Sequence, residues 1–236
     1  MKRREFINIS FLTGSGLVLG IGYSFKNDNL SLEANAKDYV FNPFIEISNT
    51  HKIILYAPVL ELGQGVRTSL PMILAEELDA NGGDITIKQA IPSQEYGDMS
   101  SAGSNSVAKF YDKLRRAGAT ARLMLMTAAA RRWDVPITDL KTEKSEVINS
   151  RTGKRLSYYD LSEEASAVAI PEKVDLKDDT QFILIGESIK NVDLENIVTG
   201  KAIFGLDAEI DNMKFVSIER CPVRGGTLLN YDATET

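Results

Sequence analysis

The sequence predicts an α+β fold, a mixed sheet with covering helices, and three observations lead there. Short runs of branched and aromatic residues recur between Val40 and Ile87, one long helical pattern occupies about Ser104 to Trp133, and strand-like runs return from Glu146 onward. In chain order, Tyr39 to Ile47 reads as an entering extended segment broken by Asn42-Pro43. Asn49-Thr50-His51 is then the turn before a strand over Lys52 to Ala57. From Thr68 to Leu78 the apolar positions Leu70, Ile73, Leu74 and Leu78 fall at helical spacing, with Glu76 and Glu77 expected outside. Asn81-Gly82-Gly83 ends that helix and leads into a strand at Ile85-Thr86-Ile87.

In the long helix Val107, Phe110, Leu114, Ala117, Ala121, Leu125 and Ala128 keep to one side, and Lys109, Lys113, Arg116 and Arg131 fall elsewhere. Its arginines read as a solvated face, and Asp134-Val135-Pro136 stops it. Glu146 to Leu156 has the form of a hairpin turning at Arg151-Thr152-Gly153. Tyr158 to Ala169 suits a short helix with Leu161, Ala165 and Val168 inward, and the charged run Lys173 to Asp179 a surface connection. Apolar runs at Phe182–Gly186, Lys201–Gly205 and Lys214–Ile218 read as a final β-rich stretch.

Composition limits the function. The chain has 236 residues, 27 Lys and Arg against 33 Asp and Glu, and a net charge of -6. Nucleic-acid binding depends on clustered positive charge, so that class is excluded. A lone cysteine, Cys221, and a lone histidine, His51, rule out an intramolecular disulfide and any Cys/His zinc site or iron–sulfur cluster built from this chain. Met1-Lys2-Arg3-Arg4 followed by a glycine-broken apolar stretch from Ile9 to Tyr23 has the layout of an export signal. Its paired arginines resemble the twin-arginine signal, and Ala34-Asn35-Ala36 offers a cleavage site before Lys37.

Two loops attract attention as sites. Gly63-Gln64-Gly65 lies between a strand and the start of a helix, where backbone can approach a ligand closely and helix N–H groups favour anions. On spacing alone such a pair is more often a turn than a site. The polar loop Met99 to Ser106, with Gly103, Ser104, Asn105 and Ser106 opening the long helix, is either an anion cradle or a plain N-cap. Glu61, Glu76 and Glu77 are possible acids, with surface carboxylate the default. Cys221 is expected as a buried small hydrophobe. No Walker-type phosphate loop, H-E-x-x-H pair or G-x-S-x-G elbow is present.

The run Glu61 to Met72 with Ala75-Glu76-Glu77-Leu78-Asp79 resembles the molybdopterin-binding large subunits of the xanthine dehydrogenase family. The similarity is strongest to the exported branch that includes isoquinoline 1-oxidoreductase and membrane-associated aldehyde dehydrogenase subunits. It continues through Tyr96-Gly97, Gly103 to Val107, Leu114 to Ala119, Ala128 to Ala130, Trp133 to Pro136, Val198 to Ala202, Phe204-Gly205 and Asp207. The resemblance implies a molybdenum hydroxylase using a molybdenum–molybdopterin dinucleotide, of which the cytosine dinucleotide is the expected form. Such an enzyme would oxidise a heteroaromatic or aldehyde substrate with water-derived oxygen. Gly63, Gln64 and Gly65 would contact the cofactor, and Gly103, Ser104, Asn105 and Ser106 would hold its phosphate or pterin. Electrons would leave through a partner small subunit carrying 2Fe-2S clusters, with a cytochrome c as candidate acceptor.

The same resemblance implies residues 1–36 as a twin-arginine signal read by that translocon, 37–172 as a cofactor-binding segment, 173–195 as a connection and 196–236 as the start of an α/β hammerhead-like domain. A periplasmic, membrane-associated enzyme is the corresponding location. The family is several times longer and its general-base glutamate lies beyond this sequence, so no catalytic residue is assigned and the piece alone is expected to be inactive. The alternative is a non-catalytic exported binding or assembly module derived from the same fold.

Overall fold

The computed structural model describes residues 38–232, so the expected signal segment lies outside the described residues. Two compact units divide at Val192 and Asp193. In the first, β1 (Tyr39–Asn42), β2 (Ile45–Ile47), β3 (Ile53–Ala57) and β4 (Ile85–Gln89) form a sheet in that order. β1, β2 and β3 are antiparallel neighbours, while β3 and β4 run parallel, with Ile53 opposite Ile85 and Ala57 opposite Gln89. A parallel pair needs a crossover, and helix α1 (Val66–Leu78) supplies it. His51 takes the positive φ of the β2–β3 turn and stacks on Tyr159.

Helix α2 (Ser106–Trp133) ends where Asp134 turns left-handed and its N–H returns to the carbonyls of Ala130 and Arg131. Phe110, Leu114, Ala121, Leu125 and Ala128 are buried as the periodicity requires, while Val107 is exposed in the first turn. α1 and α2 cross at Gly118, where an added Cβ would stand 2.7 Å from the Leu74 carbonyl oxygen and 2.9 Å from Glu77 Cβ. Only a residue without a side chain permits that approach. A second antiparallel sheet joins β5 (Leu140–Glu143), β6 (Glu146–Asn149) and β7 (Arg155–Ser157), followed by α3 (Tyr158–Ser166), whose N-cap Ser157 accepts the Asp160 N–H. β6 and β7 are the expected hairpin; β5 had no separate signal in the sequence.

The core between the first sheet and the helices contains Ile45, Ile47, Leu55, Leu70, Leu74, Leu78, Leu114 and Leu125. Burying such side chains is worth roughly 1.5–3 kcal/mol each, which is what holds short strands to the helix pair.

Glu76 and Glu77, expected on the outside of α1, are both 0% exposed. Glu77 lies seven residues after Leu70 and four after Ile73, the spacing of one helix face, and so enters the interface with α2. The run Lys173 to Asp179 does travel along the surface, yet it is anchored there. Lys177 donates its ammonium to Glu76 at 2.9 Å and to Asp79 at 2.6 Å.

No strand forms at Phe182–Gly186, Lys201–Gly205 or Lys214–Ile218. At the first of these, the N–H groups of Ile183, Leu184 and Ile185 donate instead to the Glu76 carboxylate. In the second unit, helix α4 (Leu194–Val198) and a short 3₁₀ turn at Gly205–Asp207 are the regular structure among the described residues. Cys221, expected to be buried, is exposed.

Candidate functional site

The glycine loop is shaped by backbone demands first. Gly63 and Gly65 hold φ of 99° and 83°, values that side-chain-bearing residues rarely adopt, and Gly65 is the N-cap of α1. Nothing lies within 4 Å of the Cβ direction at either, so their backbone presents an open face.

The helix start is not an empty anion cradle. Glu61 folds into it, its carboxylate accepting the N–H groups of Gly63 at 2.8 Å, Gly65 at 2.9 Å and Arg67 at 3.0 Å. Partial burial alone would raise its pKa, and these N–H donors outweigh that and hold it below the ordinary carboxylate value. The sequence reading of free helix N–H groups is corrected accordingly: at Gly63, Gly65 and Arg67 the chain supplies its own anion. Gln64 also turns inward. Its amide donates to the Leu60 carbonyl at 3.0 Å and accepts the Leu62 N–H at 2.5 Å.

The serine-rich loop reaches the same point. Ser101 donates its hydroxyl to the Leu60 carbonyl at 2.8 Å, so two loops about forty residues apart in sequence share one acceptor. Asp98 braces the second loop by accepting the Ser100 N–H at 2.9 Å and the Lys109 ammonium at 3.0 Å. The Ser100 N–H, its hydroxyl and Lys109 together lower the Asp98 pKa to about 2. Gly103, Ser104 and Asn105 are exposed, Ser104 with a φ of 54°, and Ser106 is buried as the first residue of α2. Asn105 caps that helix without a side-chain hydrogen bond. The structure therefore brings the glycine loop and the serine loop together at the Leu60 carbonyl, where Gln64, one of the seven residues the sequence singled out, meets Ser101, which the sequence did not single out.

Beside Gly65 a cleft of about 220 Å³ is lined by Gly65, Thr68, Ser69, Met72, Glu187, Ile189 and Asn191. Its far wall was not anticipated from the sequence. The adjacent hydroxyls of Thr68 and Ser69 at the start of the helix were the available clue to this groove.

Farther along α1 lies a buried charge cluster. Glu77 accepts from Arg115 Nε at 2.8 Å and lies 3.6 Å from Arg122, which also stands 3.6 Å from Asp79. Arg115 in turn donates to the Lys177 carbonyl and lies over the Phe182 ring. Three carboxylates thus meet three cations, Arg115, Arg122 and Lys177. Two of those cations sit on the helix whose arginines were expected to be solvated. Burial would raise the Glu76 pKa; Lys177 and the N–H groups of Leu184, Ile185 and Ile183 overcome this and leave it lowered.

Residues 9–204 match the molybdopterin cofactor-binding domain family, and the chain belongs to it. The molybdopterin-binding subunits of the xanthine dehydrogenase family are therefore its relatives, as the motifs indicated. The beta subunit of isoquinoline 1-oxidoreductase from Brevundimonas diminuta is 28% identical over 78% of this chain and 29% of that protein. The membrane-bound aldehyde dehydrogenase (pyrroloquinoline-quinone) of Gluconacetobacter polyoxogenes is 29% identical over 100% of this chain and 31% of its own length. A nicotinate dehydrogenase subunit of Pseudomonas putida is 30% identical over 77% of this chain and 15% of that protein. The chain spans less than a third of the length of each of these relatives.

The chemistry of the two loops fits such a cofactor. Open glycine backbone at Gly63 and Gly65 admits close approach, and the exposed polar groups of Ser104 and Asn105 suit phosphate and pterin edges. Among the described residues no cluster of three or more His, Cys, Asp or Glu could hold a metal.

Proposed function

We propose that this chain forms one wall of the cofactor site in the molybdopterin-binding subunit of an exported molybdenum hydroxylase. When bound, the molybdenum of a pterin dinucleotide, held through the pterin's own sulfurs, supplies the chemistry that places water-derived oxygen on a heteroaromatic or aldehyde carbon. The observation that carries the reading is the meeting of the glycine and serine loops at the Leu60 carbonyl, within a chain of this family.

The chain's own contribution is positional. Glu61 neutralises the start of α1 and fixes the loop, so Gly63 and Gly65 are held ready before any ligand arrives. Gly103, Ser104 and Asn105 stand exposed at the mouth of the second loop, where hydroxyl and amide donors would meet phosphate oxygens, and the buried Ser106 begins the helix behind them. A small subunit with 2Fe-2S clusters would carry electrons away, with a cytochrome c as a candidate acceptor. The names of the relatives, acting on isoquinoline, nicotinate and aldehydes, support that substrate class. Residues 196–236 would belong to a hammerhead-like domain, whose strands require pairing partners to form. The Arg3-Arg4 leader supports periplasmic residence, and Arg3→Lys with Arg4→Lys is expected to move the protein to the cytoplasmic fraction.

The deciding experiment is molybdenum and pterin analysis of the protein purified from its own host, with intact mass recorded together. The expected result is stoichiometric molybdenum and pterin, reduced severalfold in Gln64→Ala. Metal-free, pterin-free protein would overturn the reading and favour the non-catalytic module.

A further inference from the structure

The cleft beside Gly65 has two unlike walls. One is the first half of α1, presenting Gly65, Thr68, Ser69 and Met72 from a helix that fixes its own geometry. The other, Glu187, Ile189 and Asn191, belongs to a segment with no helix or strand of its own. Such a segment holds a position only where something outside it accepts its backbone groups.

Two anchors do so. Glu76 Oε2 accepts the N–H groups of Ile183 at 2.9 Å, Leu184 at 2.6 Å and Ile185 at 3.1 Å, and Oε1 accepts the Lys177 ammonium. At the other end the Val192 N–H donates to Thr68 Oγ1 at 3.1 Å. Glu76 and Thr68 lie on one helix, eight residues and therefore about 12 Å apart along its axis. The segment runs back along α1 from the buried anchor to the helix start, and the cleft is what it encloses. Glu76 has no exposure, and a buried carboxylate persists only when its lone pairs are met. Most of its donors come from this segment, so the carboxylate and the segment depend on each other.

We infer that Glu76 is a positioning residue for the cleft: through residues 183–185 it sets where Glu187, Ile189 and Asn191 stand against Thr68 and Ser69. This deepens the cofactor reading and rests on it only for what the cleft receives, part of a pterin-based, phosphate-bearing group. A role in stability alone would loosen the whole unit; a positioning role loosens the segment and its far end while the sheet stays closed.

Amide hydrogen exchange on the full chain, purified with its cofactor, reads the difference residue by residue. In Glu76→Gln, exchange at Ile183–Ile185 and at Val192 is expected to rise roughly tenfold or more, with protection over Ile53–Ala57 unchanged. Leu184→Pro, which removes one donated N–H and keeps the carboxylate, is expected to give the same pattern more weakly. Unchanged exchange at Val192 in both variants, or a rise spread evenly into Ile53–Ala57, overturns the proposal. Pterin and molybdenum content and the visible circular dichroism of the bound cofactor are recorded on the same samples. A severalfold loss of content with a shifted spectrum supports the cleft as a cofactor wall. Faster exchange at Val192 with full content and an unchanged spectrum keeps the positioning role and removes the cofactor from this cleft.

Discussion

Residues 38–192 and 193–232 are similarly rich in apolar side chains, yet the first stretch builds a core and the second buries none of its residues. Leu206 is 99% and Phe215 90% exposed, whereas Leu55, Leu70 and Leu114 have no exposure at all. The difference lies in available partners. β3 has strands on both sides and α1 against its face, so each apolar residue displaces water from a neighbour. Lys214 to Ile218 has strand-forming residues and, among the described residues, no strand pairs with it. β propensity is largely a fit to a neighbouring surface, and it yields nothing when that surface is missing.

The largest test of this contrast falls on the buried charges. Glu77→Ala leaves Arg115 buried without its carboxylate, and a loss of about 3–5 kcal/mol in unfolding free energy is expected by urea denaturation. A loss below about 1 kcal/mol would mean the cluster is solvated and the contrast overdrawn. Next comes Gly118→Ala, which drives a methyl group into the Leu74 carbonyl and should cost about 1–3 kcal/mol. Tyr158→Phe removes the hydroxyl that donates to the Leu78 carbonyl at 2.7 Å, for about 1 kcal/mol.

Acid sharpens the same comparison. Glu76 is held below its ordinary value of 4.5, so it contributes stability that is fully present above that pH and is lost as pH falls through the lowered folded value. A thermal-melting series is expected to drop more steeply with acid in the parent chain than in Glu76→Gln. The smallest effect belongs to the second unit. Phe215→Ser should change stability by less than about 0.5 kcal/mol, because no burial is lost. Limited proteolysis should cleave within residues 193–232 before it touches 38–192, and the reverse order would break the comparison outright.

Much of the fold is legible locally. Ile53 to Ala57, Ile85 to Gln89 and the hairpin over Glu146 to Ser157 announce themselves by branched and aromatic residues and turn chemistry, and α2 ends one residue before Asp134 as its breakers require. The candidate loops were legible as positions, since glycine at 63 and 65 is demanded by positive φ. Their wiring was not. Nothing around Glu61 shows that its carboxylate caps the helix it precedes, and nothing around Leu60 shows that Ser101 will arrive at its carbonyl.

By itself, then, the sequence determined the elements from Ile53 to Trp133, the hairpin after Glu146, the positions of the two loops and the membership in the molybdopterin cofactor-binding family, because spacing, turn residues and motif order are local properties of the chain. Tertiary structure alone decided that Glu76 and Glu77 are interior rather than surface groups. Their partners Lys177 and Arg115 stand 101 and 38 residues away, and a carboxylate can be buried only where such distant cations and N–H groups converge on it. The same reason decided the fate of Ile183–Ile185, whose backbone met a carboxylate where a strand would have met another strand.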